Sequence, residues 1–264
     1  MRFNKIRIGV ISALREEQTG LIEVMENITM SHHGMRDYVS GCLWEVECVC
    51  VLSRIGKVAA AATTAILIEK FGVTHIIFTG VAGAADRSVR IGDIVVASQL
   101  VQHDMDASPL FPRFEIPLTG LSHFFSDKNL STHLLQASQQ FIDNEFSSAI
   151  PEKDRQLFRL DHPNIHEGLI ASGDEFVNRQ DQLLKITKNL ENVLAVEMEG
   201  AAVAQVCFEF GIPFAVIRTI SDNANDNSPV DFVQFLEKVA ARYAFYIVRQ
   251  FFCLISKEVK ARSI

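Results

Sequence analysis

Carboxylates recur in this sequence just after short apolar runs, at Leu14-Arg15-Glu16-Glu17, Ser172-Gly173-Asp174-Glu175-Phe176, Glu197-Met198-Glu199 and Ser221-Asp222. In layered α/β proteins ligands collect at the carboxyl ends of strands, where loops lead into helices. A carboxyl group held there can donate or accept a proton, or sit against a developing positive charge. Glu199 is the strongest pointer. It stands where apolar Ala195-Val196 meets the small Gly200-Ala201-Ala202, so it is expected to be partly buried, which is costly without a partner or a task. Plainer readings exist for the others: Glu16 and Glu17 suit a helix N-terminus, and Asp222 after Ser221 suits a turn cap.

A fifth strand end, Thr79-Gly80-Val81-Ala82-Gly83-Ala84, is small and Gly-bearing. Its glycines are too few and wrongly spaced for a dinucleotide fingerprint or a phosphate-cradling loop, and they read as a tight turn. His103-Asp104-Met105-Asp106 has metal-type side chains, but no second His or flanking Cys at ligand spacing, so a structural loop is expected. His32, His33, His123, His133, His162 and His166 lie in polar surroundings and read as surface. No Gly-x-Ser-x-Gly setting offers an acyl-transfer nucleophile. No strand end gathers cations.

The elements that must position these groups alternate. Strands are expected at 6–11, 44–53, 74–78, 94–96, 193–196 and 214–220. Helices are expected at 15–25, at 57–71 with Gly72 as C-cap, before Gly211, and at 232–252. Strands alternating with helices argue for an α/β fold, three layers with a central mostly parallel or mixed sheet. Two stretches, 106–117 and 147–165, read as excursions. No repeat or Pro/Gly/Ser-rich linker divides the chain, so 1–264 is read as one domain.

The 264 residues are 48% hydrophobic and 22% charged, an ordinary globular composition, with a net charge of −7. An acidic chain makes a poor general nucleic-acid binder, since that affinity rests on basic patches. Five cysteines without a Cys-x-x-Cys pair read as free thiols in a reducing compartment. Residues 1–5 run straight into the first strand without a signal-peptide pattern, and no 18-residue apolar run exists. A cytoplasmic protein that binds no membrane is the expectation.

Taken together, the motifs resemble the nucleoside phosphorylase/nucleosidase superfamily, and within it the methylthioadenosine/S-adenosylhomocysteine nucleosidases. The matches are Ile8-Gly9-Val10-Ile11-x-Ala13-Leu14-x-Glu16-Glu17, Ser53-x-Ile55-Gly56-Lys57-Val58-Ala59-Ala60, Thr79-Gly80-Val81-Ala82-Gly83 and Ile91-Gly92-Asp93-Ile94-Val95-Val96. They continue with His103-Asp104-x-Asp106, Ser172-Gly173-Asp174-x-Phe176, Val196-Glu197-Met198-Glu199 and Arg218-x-Ile220-Ser221-Asp222. The resemblance implies a nucleoside phosphorylase-like fold and hydrolysis of the bond between adenine and a 5-thio-substituted ribose, in methionine salvage, with neither cofactor nor metal. Asp222 would protonate adenine at N7, and Glu17 would orient and deprotonate the attacking water. Glu199 would hold the ribose hydroxyls with Met198 against the sugar. Phe176 would stack on adenine, and the Val177 backbone would read its edge. Val81, Ala82, Gly83, Ser221 and Arg218 would complete the nucleoside site. Leu14, Ile55 and Phe232 would receive the alkylthio group, with the 106–117 loop of a homodimer partner.

The chain departs from that pattern in three places. Arg54 stands where Gly is common, the 107–114 loop lacks the usual Tyr- and Gly-rich pattern, and 147–165 looks like extra sequence. A purine nucleoside phosphorylase is the nearest rival. It needs cations for phosphate, yet Phe78 stands where such enzymes carry Arg, the Gly-Asp-Pro-x-Arg motif is missing, and Glu17 would repel the dianion. A non-catalytic binding relative is a second rival. A nucleosidase preferring another adenine nucleoside, such as aminodeoxyfutalosine, is a third.

Overall fold

The alternating segments build a ten-stranded mixed sheet with helices on both faces. The computed structural model describes residues 6–224 and 228–262, so residues 1–5, read as free of a signal-peptide pattern, lie outside the described residues. Strand β1 (Arg7–Ser12) leads through two 3₁₀ turns to a meander, β2 (Glu26–His33), β3 (Arg36–Leu43) and β4 (Val46–Leu52). Helix α1 (Lys57–Phe71) precedes β5 (His75–Ala84), β6 (Ile94–Gln102) and the short β7 (His123–Phe125). Helices α2 (Lys128–Asn144), α3 (Phe146–Ala149) and α4 (Glu152–Phe158) lead to β8 (Ile165–Ser172), α5 (Gln180–Thr187) and β9 (Val193–Glu197). After α6 (Gly200–Phe210) and β10 (Phe214–Asp222) come α7 (Ser228–Phe235), a π-helical turn at Leu236–Ala240, and α8 (Ala241–Arg262).

The strand order is β10-β6-β8-β9-β5-β1-β4-β3-β2, with β7 on β6 and β10 also paired to β5. Strands β5, β10, β6, β8 and β9 therefore close on one another. At the closure Gly83 pairs with Val196 of β9 and with Asp222 of β10. That register brings the ends of three strands around one point, which is what positions the site.

The two faces of the sheet are packed by different helices. On one, Val10, Ile77 and Ile217 meet Phe141 of α2 and Tyr243, Phe251 and Phe252 of α8. On the other, Ile76, Phe78 and Val216 meet Leu67 of α1 and Val203 and Cys207 of α6. Each buried aromatic or aliphatic side chain contributes about 2 kcal/mol. The stretch Phe232–Ala261 is long and apolar enough by composition to cross a membrane, but Tyr243, Val248, Phe251 and Phe252 are fully buried against the sheet. Helix α1 is Ala-rich and stops at Gly72, whose φ of 59° lets its N–H reach the carbonyls of Ile68 and Leu67.

Three expectations are corrected. Residues 15–25 form only 3₁₀ turns at Glu16–Gln18 and Ile22–Val24. The cause is that Glu17 and Gln18 turn inward; the Gln18 amide donates to the carbonyls of Val10 and Val51 at 3.1 and 3.0 Å, replacing helical bonds with bonds to strand ends. Residues 79–84 are not a turn but the second half of β5. The stretch 147–165 is no loose excursion: in and beside α3 and α4, Ala149, Ile150 and Leu160 are buried in the main core, and Phe158 meets Phe235 edge-on.

Candidate active site

A cavity of about 440 Å³ opens where the closed strands end. Its wall includes Glu17, Ile55, Val81, Ala82, Gly83, Phe176, Val177, Met198, Glu199, Ser221, Asp222 and Phe232, which the sequence singles out from seven separate segments. Leu14 lines it as well. A volume of this size suits a nucleoside-sized ligand, and the wall is largely apolar with a few convergent polar groups. Among the described residues no Lys, Arg or His lines it.

Glu17 is nearly fully buried at one side of this space. The N–H groups of Ala13 and Leu14 each donate to its Oε2 at 2.8 Å, and the Val81 N–H donates to Oε1 at 3.1 Å. Burial nevertheless wins over these donors and over nearby Arg218, and holds its pKa above the ordinary carboxylate value. Gly80 makes the approach feasible: a Cβ there would lie 2.9 Å from Glu17 Oε1 and 3.0 Å from an Arg218 Nη. Asp222 sits across β5, where a Cβ on Gly83 would come within 3.0 Å of its Oδ1. The Ser221 hydroxyl donates to Asp222 Oδ2 at 2.8 Å and the Ala224 N–H to Oδ1 at 2.9 Å, so the carboxyl is held in one orientation.

Glu199 is buried and accepts the Gly56 N–H at 2.8 Å. Burial first, and then repulsion from Glu197, push its pKa up to about 8 despite Arg218 and the Gly56 donor. Glu197, to which the sequence alone gives no role, also reaches the wall. Its carboxylate accepts the N–H groups of Glu199 and Gly200, capping α6, accepts a short bond from the Ser172 hydroxyl, and pairs with Arg218 at 2.6 Å. The available signal is the Glu-x-Glu spacing itself, since two carboxyls buried this close cannot both stay ionised without a cation.

Arg218 supplies that cation and is the one candidate that the cavity wall does not include. It is 1% exposed, paired to Glu197 and laid over the Phe78 ring at 4.0 Å, so it stands behind the wall instead of in the nucleoside site. Ala13, Glu175, Val196 and Val233 line the cavity without having been singled out. His166, expected at the surface, instead pairs through its ring with buried Asp93 at 2.9 Å. His103 is buried and fills the space beside Gly173, where a Cβ would lie 2.3 Å from its Nε2. Arg54 has a φ of 70°, the left-handed region in which glycine is the unstrained residue.

The chain matches the family model described as phosphorylase superfamily over residues 7–252. It is 35% identical over 243 residues to the 5'-methylthioadenosine/S-adenosylhomocysteine nucleosidase of Shewanella frigidimarina, covering 92% of this chain and 97% of that one. It superposes with a TM-score of 0.83 on the same nucleosidase from Colwellia psychrerythraea in complex with adenine, at 32% identity and 96% coverage of both chains. A futalosine hydrolase structure from Helicobacter pylori matches with a TM-score of 0.79 at 33% identity, covering 93% of this chain and 97% of that one. With an apolar cavity walled by buried carboxylates at the ends of its closed strands, the chain belongs to the phosphorylase superfamily, in its 5'-methylthioadenosine/S-adenosylhomocysteine nucleosidase family.

Proposed function

We propose that this protein hydrolyses the N-glycosidic bond of methylthioadenosine and S-adenosylhomocysteine, releasing adenine and the thio-ribose. The observation that carries the reading is three buried carboxyl groups, Glu17, Glu199 and Asp222, on a cavity whose wall holds no cation among the described residues. Glycoside cleavage passes through an oxocarbenium-like state, which needs an acid on the leaving group, a base on water and negative charge near the sugar. Asp222 gives its proton to N7 as the bond to N9 breaks, so adenine leaves neutral. Glu17, made more basic by burial, takes a proton from the water that attacks the anomeric carbon. Glu199 binds the ribose hydroxyls and faces the developing cation, with Met198 against the sugar. Phe176, edge-on to Phe232 at 5.7 Å, offers the surface for the base, and the Val177 backbone its edge contacts.

Phosphorolysis is disfavoured by the same wall. The buried cation behind it, Arg218, is already neutralised by Glu197, and a phosphate dianion beside Glu17 would be repelled. We assign the whole chain to one domain that works as a cytoplasmic homodimer in methionine salvage. The dimer is supported by Ile55 at 55% and Val233 at 49% exposure on the cavity wall, apolar groups that a partner would cover. The test is base release from methylthioadenosine, S-adenosylhomocysteine and aminodeoxyfutalosine, with inosine as control, each with and without phosphate. Phosphate-independent release from the thio-nucleosides supports the reading. Turnover that requires phosphate would replace it with a phosphorylase, and preference for aminodeoxyfutalosine with the second reading, which is supported by the likeness to the futalosine hydrolase.

A further inference from the structure

Three segments that the proposed chemistry leaves unused meet at the N-terminus of α1. The Lys57 ammonium lies 2.6 Å from Asp104 Oδ1 and 3.1 Å from Gln102 Oε1. The other carboxylate oxygen of Asp104 accepts the backbone N–H of Asp174 at 2.9 Å. The Asp174 side chain accepts the backbone N–H of Lys57 at 2.8 Å, which closes a ring of three residues. The ring joins the start of α1, the loop after β6 and the loop after β8, which are 47 and 70 residues apart along the chain. Lys57 is largely covered while Asp104 and Asp174 stand at the surface, so the ring's contribution lies in linking three segments and not in the strength of one surface pair. Burial works against the Asp104 charge, yet Lys57 and the Asp174 N–H hold its pKa below the ordinary value.

Two members of the ring, Lys57 and Asp174, stand within two residues of the cavity wall along the chain, and Asp104 joins them. Residue 56, immediately before Lys57, sends its N–H to Glu199 at 2.8 Å, and its φ of 99° is a backbone state that side-chain-bearing residues rarely adopt. Residues 176 and 177, just after Asp174, form the wall assigned to the base. We infer that the Lys57–Asp104–Asp174 ring is a positioning clamp that fixes the ribose-binding wall at Gly56 and Glu199 relative to the base-binding wall at Phe176 and Val177. The inference rests on the nucleosidase reading. Its reach is distance-setting: a nucleoside touches both walls at once, whereas adenine alone touches one. Holding reacting groups in register is worth orders of magnitude in rate, and small displacements are felt.

The experiment uses the full chain carrying Asp104→Asn, Asp174→Asn or Lys57→Met, and the Lys57→Met/Asp104→Asn double variant. Far-UV circular dichroism and Tm establish folding. Adenine affinity, by calorimetry, and steady-state kcat and KM for methylthioadenosine are then compared with the wild type. The clamp predicts adenine affinity within about twofold, kcat/KM for the nucleoside reduced about tenfold or more, and a double variant no worse than the poorer single one. Lys57→Arg should recover part of the loss. Equal loss of adenine and nucleoside binding would overturn the clamp in favour of general loosening, and so would folded variants with wild-type kinetics. A variant that does not fold is replaced by the next, since the three act on one ring. A wild-type protein that releases no adenine defeats the nucleosidase reading, and the clamp with it; an active wild type matched by its variants defeats the clamp alone.

Discussion

Replacing Glu199 by Gln should make the protein more stable, and only above acid pH. The folded-state pKa of Glu199 is raised from 4.5 to about 8 by burial and by Glu197. Folded protein thus binds more protons than unfolded protein between those values, so this group's contribution to stability falls as pH rises through that window. At about 1.4 kcal/mol per pH unit the ionised form costs about 5 kcal/mol once the window is passed. Local relaxation and water entry absorb part of such a penalty, leaving about 2–4 kcal/mol to be recovered. A Gln side chain keeps an oxygen for the Gly56 N–H and removes the repulsion from Glu197. For a chain of this size the gain is roughly 4–16 °C in Tm at pH 9, shrinking toward zero at pH 4. Thermal unfolding of both proteins across that range measures it, and the variant should have lost adenine release. A Tm difference that does not grow with pH, or a variant less stable at pH 9, would refute the assignment of Glu199 as a strained, functionally retained carboxylate.

Other consequences are equally direct. Asp222→Asn and Glu17→Gln should each lower kcat/KM at least about a hundredfold while adenine still raises Tm on binding; near-normal release by either variant removes that residue from the proton transfers. Gly80→Ala should cost activity more than stability, because the new methyl lies 2.9 Å from Glu17 Oε1 and 3.0 Å from Arg218, and a fully active variant would show that this close approach is unimportant. Glu17 is raised by burial and Glu199 to about 8, and both must be ionised to act, so kcat/KM should fall with decreasing pH well above 4.5. A rate that stays flat from pH 8 to pH 5 contradicts the base and ribose roles together.

Where local forces decide, the sequence was readable. The helix Lys57–Phe71 ends at Gly72 and the helix Gly200–Phe210 at Gly211 because both glycines take left-handed caps that other residues resist. Strands β9 and β10 follow from continuous apolar runs with no helical spacing. The β2–β3 hairpin went unread: β2 lies at the sheet edge with Glu26 to Met30 all exposed, so it shows no alternation of apolar and polar faces. Residues 15–25 form no helix because Gln18 bonds to Val10 and Val51 and Glu17 accepts from Val81 of β5, partners that helix propensity cannot register. Gly80 and Gly83 looked like a turn, whereas their missing side chains leave room in a strand for Glu17 and Asp222.

By itself the sequence determined the layered α/β class, the glycine stops of α1 and α6 and which carboxylates stand at strand ends, since periodicity and capping act over a few residues. Only the tertiary structure decided that Glu197 takes Arg218 out of the cavity, that His166 serves Asp93, and that Glu17 and Glu199 are left as carboxyls with raised pKa. These outcomes depend on the pairing of β5 with both β9 and β10, which joins segments more than a hundred residues apart, and on how burial weighs one charge against another.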